Sequence, residues 1–489
     1  MTTVRDWLGA KSDRVIETSC AWVFLEGGTA LKVKKPVNYG FLDFSTTDKR
    51  RWAIERELAF NRATAPDIYR AVRRVTREAN GRLALDGRGE TVDWALEMRA
   101  FDPGAVLSEH PESVDGALAE ALGRVIARFH AHAEVRPDGG GVKALGYTVR
   151  TNAEHLTSLA DTLGRAQVGD VVVGTAAAFA AAGPLLERRR AEGFARRCHG
   201  DLHLGNILLE HGRPVLFDCI EFNDLLSEID VLYDFAFLAM DLTFRGQADA
   251  ASRAFNAYLD EAARAFPATL WDGLAAFPLM LSARASVRAH VNAMQGEADI
   301  GRAYLAAAAR HLDPRAPTLT AIGGLSGTGK TTLARLVAPR LGGAPGAVVL
   351  RTDEIRKRLA GVPPSEALPP AAYTDAARAR VYNEMFALAR RVLAAGRSVV
   401  LDAVFQLPDE RRPAATLASE LGVRFDGFWL EGQPDELRRR LGARTGDASD
   451  ATVATLEAQL AQEAGAIDWE RCDAGDLAAA ASRIAPREN

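Results

Sequence analysis

The stretch 197–222, RCHGDLHLGNILLEHGRPVLFDCIEF, decides how the longer N-terminal part of the chain is read. His199-Gly200-Asp201 is followed five residues on by Asn206, a D-x-x-x-x-N spacing at which a phosphoryl-transfer loop presents a proton acceptor and a metal ligand. Beyond Asn206, the run 207–209, a turn at His211-Gly212 and the run 214–217 predict a hairpin that delivers Asp218 as the main metal-binding carboxylate. Charge spreading over a transferred phosphoryl has to be met by metal held in this way. An Asp and an Asn also cap ordinary turns. Here the HGD triplet, the Asn at its offset and an Asp ending the next strand coincide, which favours the catalytic reading.

The HGD form of this loop resembles the aminoglycoside-phosphotransferase and choline-kinase branch of the protein-kinase-like fold, over most of residues 10–310. The chain as a whole resembles bacterial proteins that join such a domain to a P-loop kinase. The resemblance implies a bilobal kinase domain over 1–312, with a small lobe at about 10–100 and a large lobe at 101–312. Runs 22–25 and 30–34 around Glu26-Gly27-Gly28 predict a hairpin, with Lys32 in its second strand. In this fold such a lysine, paired with a helix Glu, holds the α and β phosphates of ATP. Resemblance to an E-L-x-x-N pattern selects Glu57, with Glu55 in reserve. No G-x-G-x-x-G precedes Lys32, so a glycine-rich lid is not expected. The run 91–99 alternates like an edge strand and leads into a hinge, where backbone near Glu97 and Met98 would meet adenine. Further on, Asp230 and Asp234 match an acidic D-x-x-x-D run, and at least one is expected to brace the catalytic loop. Glu221, Asp224 and Glu228 are carboxylates that could meet a cationic acceptor, with Asp224 the substrate-binding candidate.

At 489 residues the chain exceeds one hydrophobic core, and 48% hydrophobic with 25% charged residues is a globular composition. A net charge of −4 gives no sign of bulk nucleic-acid binding. Cys20, Cys198, Cys219 and Cys472 lack metal-ligand or disulfide-framework spacing and fit a reducing cytoplasm. The first residues lack a signal peptide's apolar core. The apolar run 171–186, interrupted by Gly174, Gly183 and Pro184, is too short to span a bilayer and is expected to be a buried, broken, Ala-rich helix. A membrane partner is therefore not expected.

Residues 313–317 read as a linker, and 318–489 as a second domain. A strand at 318–322 runs into Gly324-Leu-Ser-Gly-Thr-Gly-Lys330-Thr331, a full G-x-x-x-x-G-K-[ST] loop with a helix after it. Gly324, Ser326, Gly327, Thr328, Gly329, Lys330, Thr331 and Thr332 would cradle phosphates by backbone N–H groups, with Lys330 on the β and γ phosphates and the Thr331 hydroxyl on Mg²⁺. A second strand leads into Asp353 and Arg356, a D-x-x-R that resembles polynucleotide kinases, zeta-toxin-type kinases and related small P-loop kinases. The resemblance makes Asp353 the general base, Arg356 and Arg411 substrate-binding, and Asp402 the Walker-B-type metal carboxylate. Arg440 and Arg444 would close over the transferring phosphoryl, with Arg439 in reserve. Ala403-Val404 replaces the Thr-Asn of polynucleotide kinases, which counts against a nucleic-acid acceptor.

Together these readings predict two ATP·Mg²⁺ sites, a protein-kinase-like domain followed by a P-loop parallel sheet with helices on both faces. Each would phosphorylate a hydroxyl of a small sugar-like, aminosugar or amino-alcohol acceptor, using Asp201 and Asp353 with metal held by Asn206, Asp218, Thr331 and Asp402. The alternatives are a nucleic-acid 5′-hydroxyl kinase and a nucleotide-dependent sensor.

Overall fold

The computed structural model describes residues 2–40, 42–443 and 449–486. Strands β1 (Arg14–Glu17), β2 (Ala21–Glu26) and β3 (Thr29–Lys34) form an antiparallel meander. Its second turn passes through Gly27 at φ +54°, a conformation that glycine adopts without steric cost. Strands β4 (Tyr69–Arg77), β5 (Leu83–Leu85) and β6 (Glu90–Arg99) complete a sheet in the order β1-β2-β3-β6-β4-β5. The helix Thr47–Asn61, capped by the Thr46 hydroxyl, lays Ile54 against Ala30, Leu96 and Met98 of this sheet.

Strand β6 is therefore central, which corrects the edge-strand expectation. Its alternation records one buried face of an antiparallel sheet, and that pattern does not distinguish a central strand from an edge. Glu97 stands opposite Leu31 of β3 and Ala71 of β4, and Met98 opposite Ala30 and Tyr69. Ladder bonds on either side occupy their backbone groups, so Glu97 and Met98 do not present free hinge amides to adenine. The Glu97 carboxylate pairs with Arg73, and Met98 lies in the core.

Strand β7 (Ala195–Arg197) leads to the catalytic stretch, in which β8 (Ile207–Glu210) and β9 (Arg213–Leu216) form the expected hairpin. His211 and Gly212 both have positive φ, the form of turn that matches the strand twist. Strand β10 (Glu228–Asp230) then pairs antiparallel with β7. All ten strands lie in one compact unit, made of Met1–Val114, His132–Thr148 and Arg190–Leu238.

The second unit comprises Asp115–Ala131, Val149–Arg189 and Ala239–Asn489, so its limits do not follow the 313–317 link. It joins the helices Ala248–Ala262, Phe277–Met294 and Ala298–Leu312 to a five-stranded parallel sheet. That sheet runs β12 (Val348–Arg351), β13 (Val399–Asp402), β11 (Thr318–Gly324), β14 (Arg424–Glu431) and β15 (Glu470–Asp473). Residues 171–186 lie in one continuous helix, Arg165–Ala191, that keeps Pro184 inside it. Its Ala-rich surface is largely exposed, with Val173 at 69%, because alanines offer little apolar area to bury. By length and composition alone it is apolar enough to cross a bilayer.

Among the described residues no sixth strand lies beside the edge strand β12. Asn256 of the helix Ala248–Ala262 takes that place: its Oδ1 accepts from Val349 N (2.7 Å) and its Nδ2 donates to Ala347 O (3.2 Å). Asp260, one turn on, faces Glu354 of the helix Thr352–Leu359, which Arg264 approaches at 3.6 Å. Burial first, then the Glu354 charge, pushes the Asp260 carboxyl up to about 7 against the opposing pull of Arg358, Arg351 and Arg124. The folded chain thus holds this proton where an unfolded Asp has released it. Stability from this group is full at low pH and is lost as pH rises from about 4 to about 7. Urea denaturation should show the parent losing about 2 kcal/mol more stability than Asp260→Asn between pH 5 and pH 8. Parallel pH profiles would remove Asp260 from this role.

Candidate active sites

Lys32 and Lys34 are two apart on β3 and so face one side of the sheet. Lys32 Nζ lies 2.7 Å from Glu57 Oε1 and 2.8 Å from Asp218 Oδ1. Lys34 Nζ lies 2.6 Å from Glu57 Oε2 and 2.7 Å from Glu221 Oε1. The result is a chain of alternating charge, Asp218–Lys32–Glu57–Lys34–Glu221, whose ends lie three residues apart on one loop. Glu57 is fully buried, whereas Glu55 is exposed and pairs with Arg51. Burial pushes the Asp218 and Glu57 carboxyls up, but the neighbouring ammonium groups outweigh it and hold both below the usual range. For Glu221 burial wins, and its carboxyl is raised.

Asp218 sits at φ +62°, an uncommon conformation for a residue with a side chain. Two side chains brace it: Tyr69 OH accepts from Asp218 N (3.1 Å) and Asn61 Oδ1 from Cys219 N (2.9 Å). Asn61 and Glu57 share one helix, so that element positions both the lysines and the metal-carboxylate loop.

Within the catalytic loop, Asn206 Nδ2 donates to Asp201 Oδ2 (2.9 Å) and to Asp201 O (2.8 Å). This leaves the Asn206 carbonyl oxygen turned elsewhere. This oxygen and the Asp218 carboxylate are hard oxygen donors of the kind that suits Mg²⁺. Asp234 accepts from His199 N (3.0 Å) and Gly200 N (2.8 Å), while Asp230 accepts from Leu232 N. His199 contacts Phe217 O through Nε2, and burial lowers its pKa. His203 Nε2 stands 3.4 Å from Asp201 Oδ2; the sequence reading overlooked it, and its place two residues past Asp201 was the available signal. Lys34 was likewise overlooked, although the i, i+2 spacing places it on the same face as Lys32.

The acidic candidates for a cationic acceptor are corrected. Asp224 pairs with Arg56 and Arg197, Glu221 is buried against Lys34, and Glu228 pairs with Arg197 and Arg136. Their charges are met inside the protein.

The second site forms at the carboxyl ends of β11, β12 and β13. Gly324 (φ +142°) and Gly327 (φ +87°) turn where a Cβ would lie 2.7 Å from Leu430 O and 3.0 Å from Leu437 O, so only glycine fits. Gly329 opens the helix Lys330–Val337, whose N-terminus adds its dipole to the cradle. Thr331 Oγ1 donates to Asp402 Oδ2 (2.6 Å), and Lys330 Nζ to Leu325 O (3.0 Å). This loop and the paired hydroxyl and carboxylate suit a phosphate chain with its metal. A cleft of about 780 Å³ brings Lys330, Thr331, Asp353, Arg356, Asp402 and Arg440 together, and Ser326, Gly327, Gly329 and Thr332 also line it. Arg356 Nη1 donates to Ala372 O (2.8 Å) and its guanidinium stacks on Tyr373. Arg440 donates to Glu436 and to Ala474 O, and Arg439 pairs with Glu436 outside the cleft lining. Thr328 is buried, with its hydroxyl turned back to Leu325 O. Arg444 lies outside the described residues.

Arg411 is a further correction. It is buried, and its guanidinium donates to four backbone carbonyls, those of Phe405, Gln406, Ala464 and Ala466. A side chain so occupied is a clamp for the chain, with both Nη groups committed to backbone and the whole group buried away from substrate.

The phosphotransferase enzyme family matches residues 48–277, and the AAA domain family residues 319–464. An uncharacterised protein of Mycobacterium tuberculosis is 32% identical over 481 residues, covering 93% of this chain and 90% of that protein. A Mycobacterium bovis protein matches to the same extent. Among solved structures, a gluconokinase from Sinorhizobium meliloti 1021 is 21% identical, over 35% of this chain and 95% of that one, with a TM-score of 0.25. A Plasmodium vivax ethanolamine kinase is 10% identical, over 60% of this chain and 81% of that one, with a TM-score of 0.40. The chain belongs to the family of these mycobacterial proteins and is an ATP-dependent kinase, a phosphotransferase-family domain followed by a P-loop kinase domain.

Proposed function

We propose that both sites turn over, each moving the γ-phosphoryl of ATP to a hydroxyl of a small polar acceptor. One kind of contact carries this reading: in each site a metal-ligand candidate already touches a carboxylate, Asn206 on Asp201 and Thr331 on Asp402. Asp201 in the first site and Asp353 in the second take the acceptor's hydroxyl proton. The acceptor oxygen forms its bond to Pγ as the bond from Pγ to the β–γ bridging oxygen breaks, and the electron pair leaves on ADP. Mg²⁺, when bound, neutralises the phosphoryl oxygens, and Asp218 with Asn206, and Thr331 with Asp402, are the residues that would hold it. Lys32 and Lys330 bind phosphates, and Arg440 offers a further cation.

The three carboxylates that suggested an amine on the first acceptor are matched internally, which favours a neutral, sugar-like alcohol over an aminosugar or amino-alcohol. A 5′-hydroxyl nucleic-acid acceptor needs a basic groove. Two arginines of the P-loop domain, Arg351 and Arg411, are buried and do not contribute to one. The four cysteines form no disulfide, in keeping with a cytoplasmic setting.

In an acceptor screen that follows ATP consumption, Asp201→Asn and Asp353→Asn should each lower phosphorylation of a different acceptor by about 10²–10⁴-fold, with nucleotide binding retained. Unchanged turnover in both variants would sink the two base assignments, and phosphorylation of an oligonucleotide end would replace the small-molecule reading. Calorimetric titration with a non-hydrolysable ATP analogue and Mg²⁺ should give two sites per chain, and one in either Lys32→Met or Lys330→Met. A single site in the parent would contradict the bifunctional reading.

A further inference from the structure

The stretch that covers the P-loop is anchored at three places. Asp450 accepts from Lys357 Nζ (2.9 Å), Leu368 N (3.0 Å) and Tyr373 OH (2.5 Å). Buried Gln406 donates through Nε2 to Gln459 O (2.6 Å) and Gln462 O (2.8 Å). Arg411 holds Ala464 and Ala466, so its clamp has a purpose. Between these anchors runs the helix Val453–Ala461, capped by Thr452. Near its end, Gln459 Oε1 accepts from Ser326 N at 2.8 Å, within the phosphate loop itself.

A backbone N–H can only donate. The contact therefore fixes the carboxamide with its oxygen on Ser326 and its NH₂ turned away. Gln459 lines the same cleft as Lys330, Thr331 and Asp353, and its Nε2 makes no hydrogen bond among the described residues. Two neutral donors are thus mounted rigidly on the rim of the phosphate cradle.

We propose that Gln459 is a further catalytic residue of the P-loop site, donating from Nε2 to a non-bridging oxygen of the nucleotide's terminal phosphoryl. The inference rests on the P-loop kinase reading above. Being neutral, the carboxamide adds little to ground-state binding; it acts as negative charge redistributes onto the oxygens of the transferring group, where preorganised donors contribute most. A competing role is that of a placeholder, with Oε1 filling an N–H that bound phosphate would claim.

The test uses the full chain carrying Asp201→Asn, so that the first site is silent. ATP turnover is compared among this background, Lys330→Ala, Gln459→Ala and Gln459→Glu. Binding of ADP·Mg²⁺ is measured with and without aluminium fluoride, which mimics the phosphoryl in flight. Glutamate keeps an oxygen for Ser326 N–H but lacks the NH₂, so it rescues a purely structural role and not a catalytic one. Both Gln459 variants should bind ADP within about threefold of the background, bind the aluminium fluoride complex at least about tenfold more weakly, and lose about 10²-fold in kcat. Full rescue by Gln459→Glu, or tighter nucleotide binding by Gln459→Ala, overturns the inference. If Lys330→Ala leaves turnover unchanged, the P-loop kinase reading falls and this inference with it. If Lys330→Ala abolishes turnover while both Gln459 variants behave as the background does, only the inference falls.

Discussion

Five charges in a row, Asp218–Lys32–Glu57–Lys34–Glu221, with Glu57, Lys34 and Glu221 buried, are what the first site depends on. Removing such groups from water costs several kcal/mol for each ion, and only close, alternating partners offset that. Dropping Glu57 would leave both lysines with one partner each, and dropping either lysine would leave an end carboxylate without its partner in the chain. The chain crosses from β3 to the helix Thr47–Asn61 and on to the loop after β9, so it sets how those three pieces meet. The same helix contributes Asn61, which holds the Cys219 amide and with it the strained Asp218. Nucleotide-binding lysine, helix carboxylate and metal carboxylate are therefore parts of one electrostatic unit.

The second site reaches a comparable order by other means. Its phosphate cradle is shaped by backbone, with glycines where neighbouring carbonyls leave no room for a side chain. Its charged groups stand around that backbone at the ends of parallel strands. The carboxyl ends of β11, β12 and β13 place Thr331, Asp353 and Asp402 together although they are dispersed in sequence. Arg351 adds a buried cation 3.4 Å from Asp402 Oδ2.

Much of this was legible in the sequence because the local signals were dense. The D-x-x-x-x-N loop, the hairpin behind it and the G-x-x-x-x-G-K-T loop each fix several residues through short-range geometry, and those elements stand where expected. The misreadings have a common cause: they concerned partners distant in sequence. Whether β6 is an edge or a centre depends on β3 and β4, some sixty and twenty residues away, and alternation cannot report that. Arg411 occupies a plausible position for a substrate arginine, yet two of the four carbonyls that claim it come from residues 464 and 466. Glu221, Asp224 and Glu228 look like an open acidic face until Lys34, Arg56, Arg136 and Arg197 are placed beside them. Lys34 and His203 were missed although each lies two residues from a chosen neighbour, since motif spacing directs attention to one residue at a time.

The carboxamide of Asn256 has a consequence beyond geometry. An uncovered edge strand such as β12 is a template on which another chain can add itself, the first step towards aggregation. By satisfying Val349 N and Ala347 O from a helix, the protein closes that template with a single side chain. The guard is encoded some ninety residues before the strand it protects, so during synthesis it is made first. The vulnerable edge emerges from the ribosome into a chain that already carries its cover.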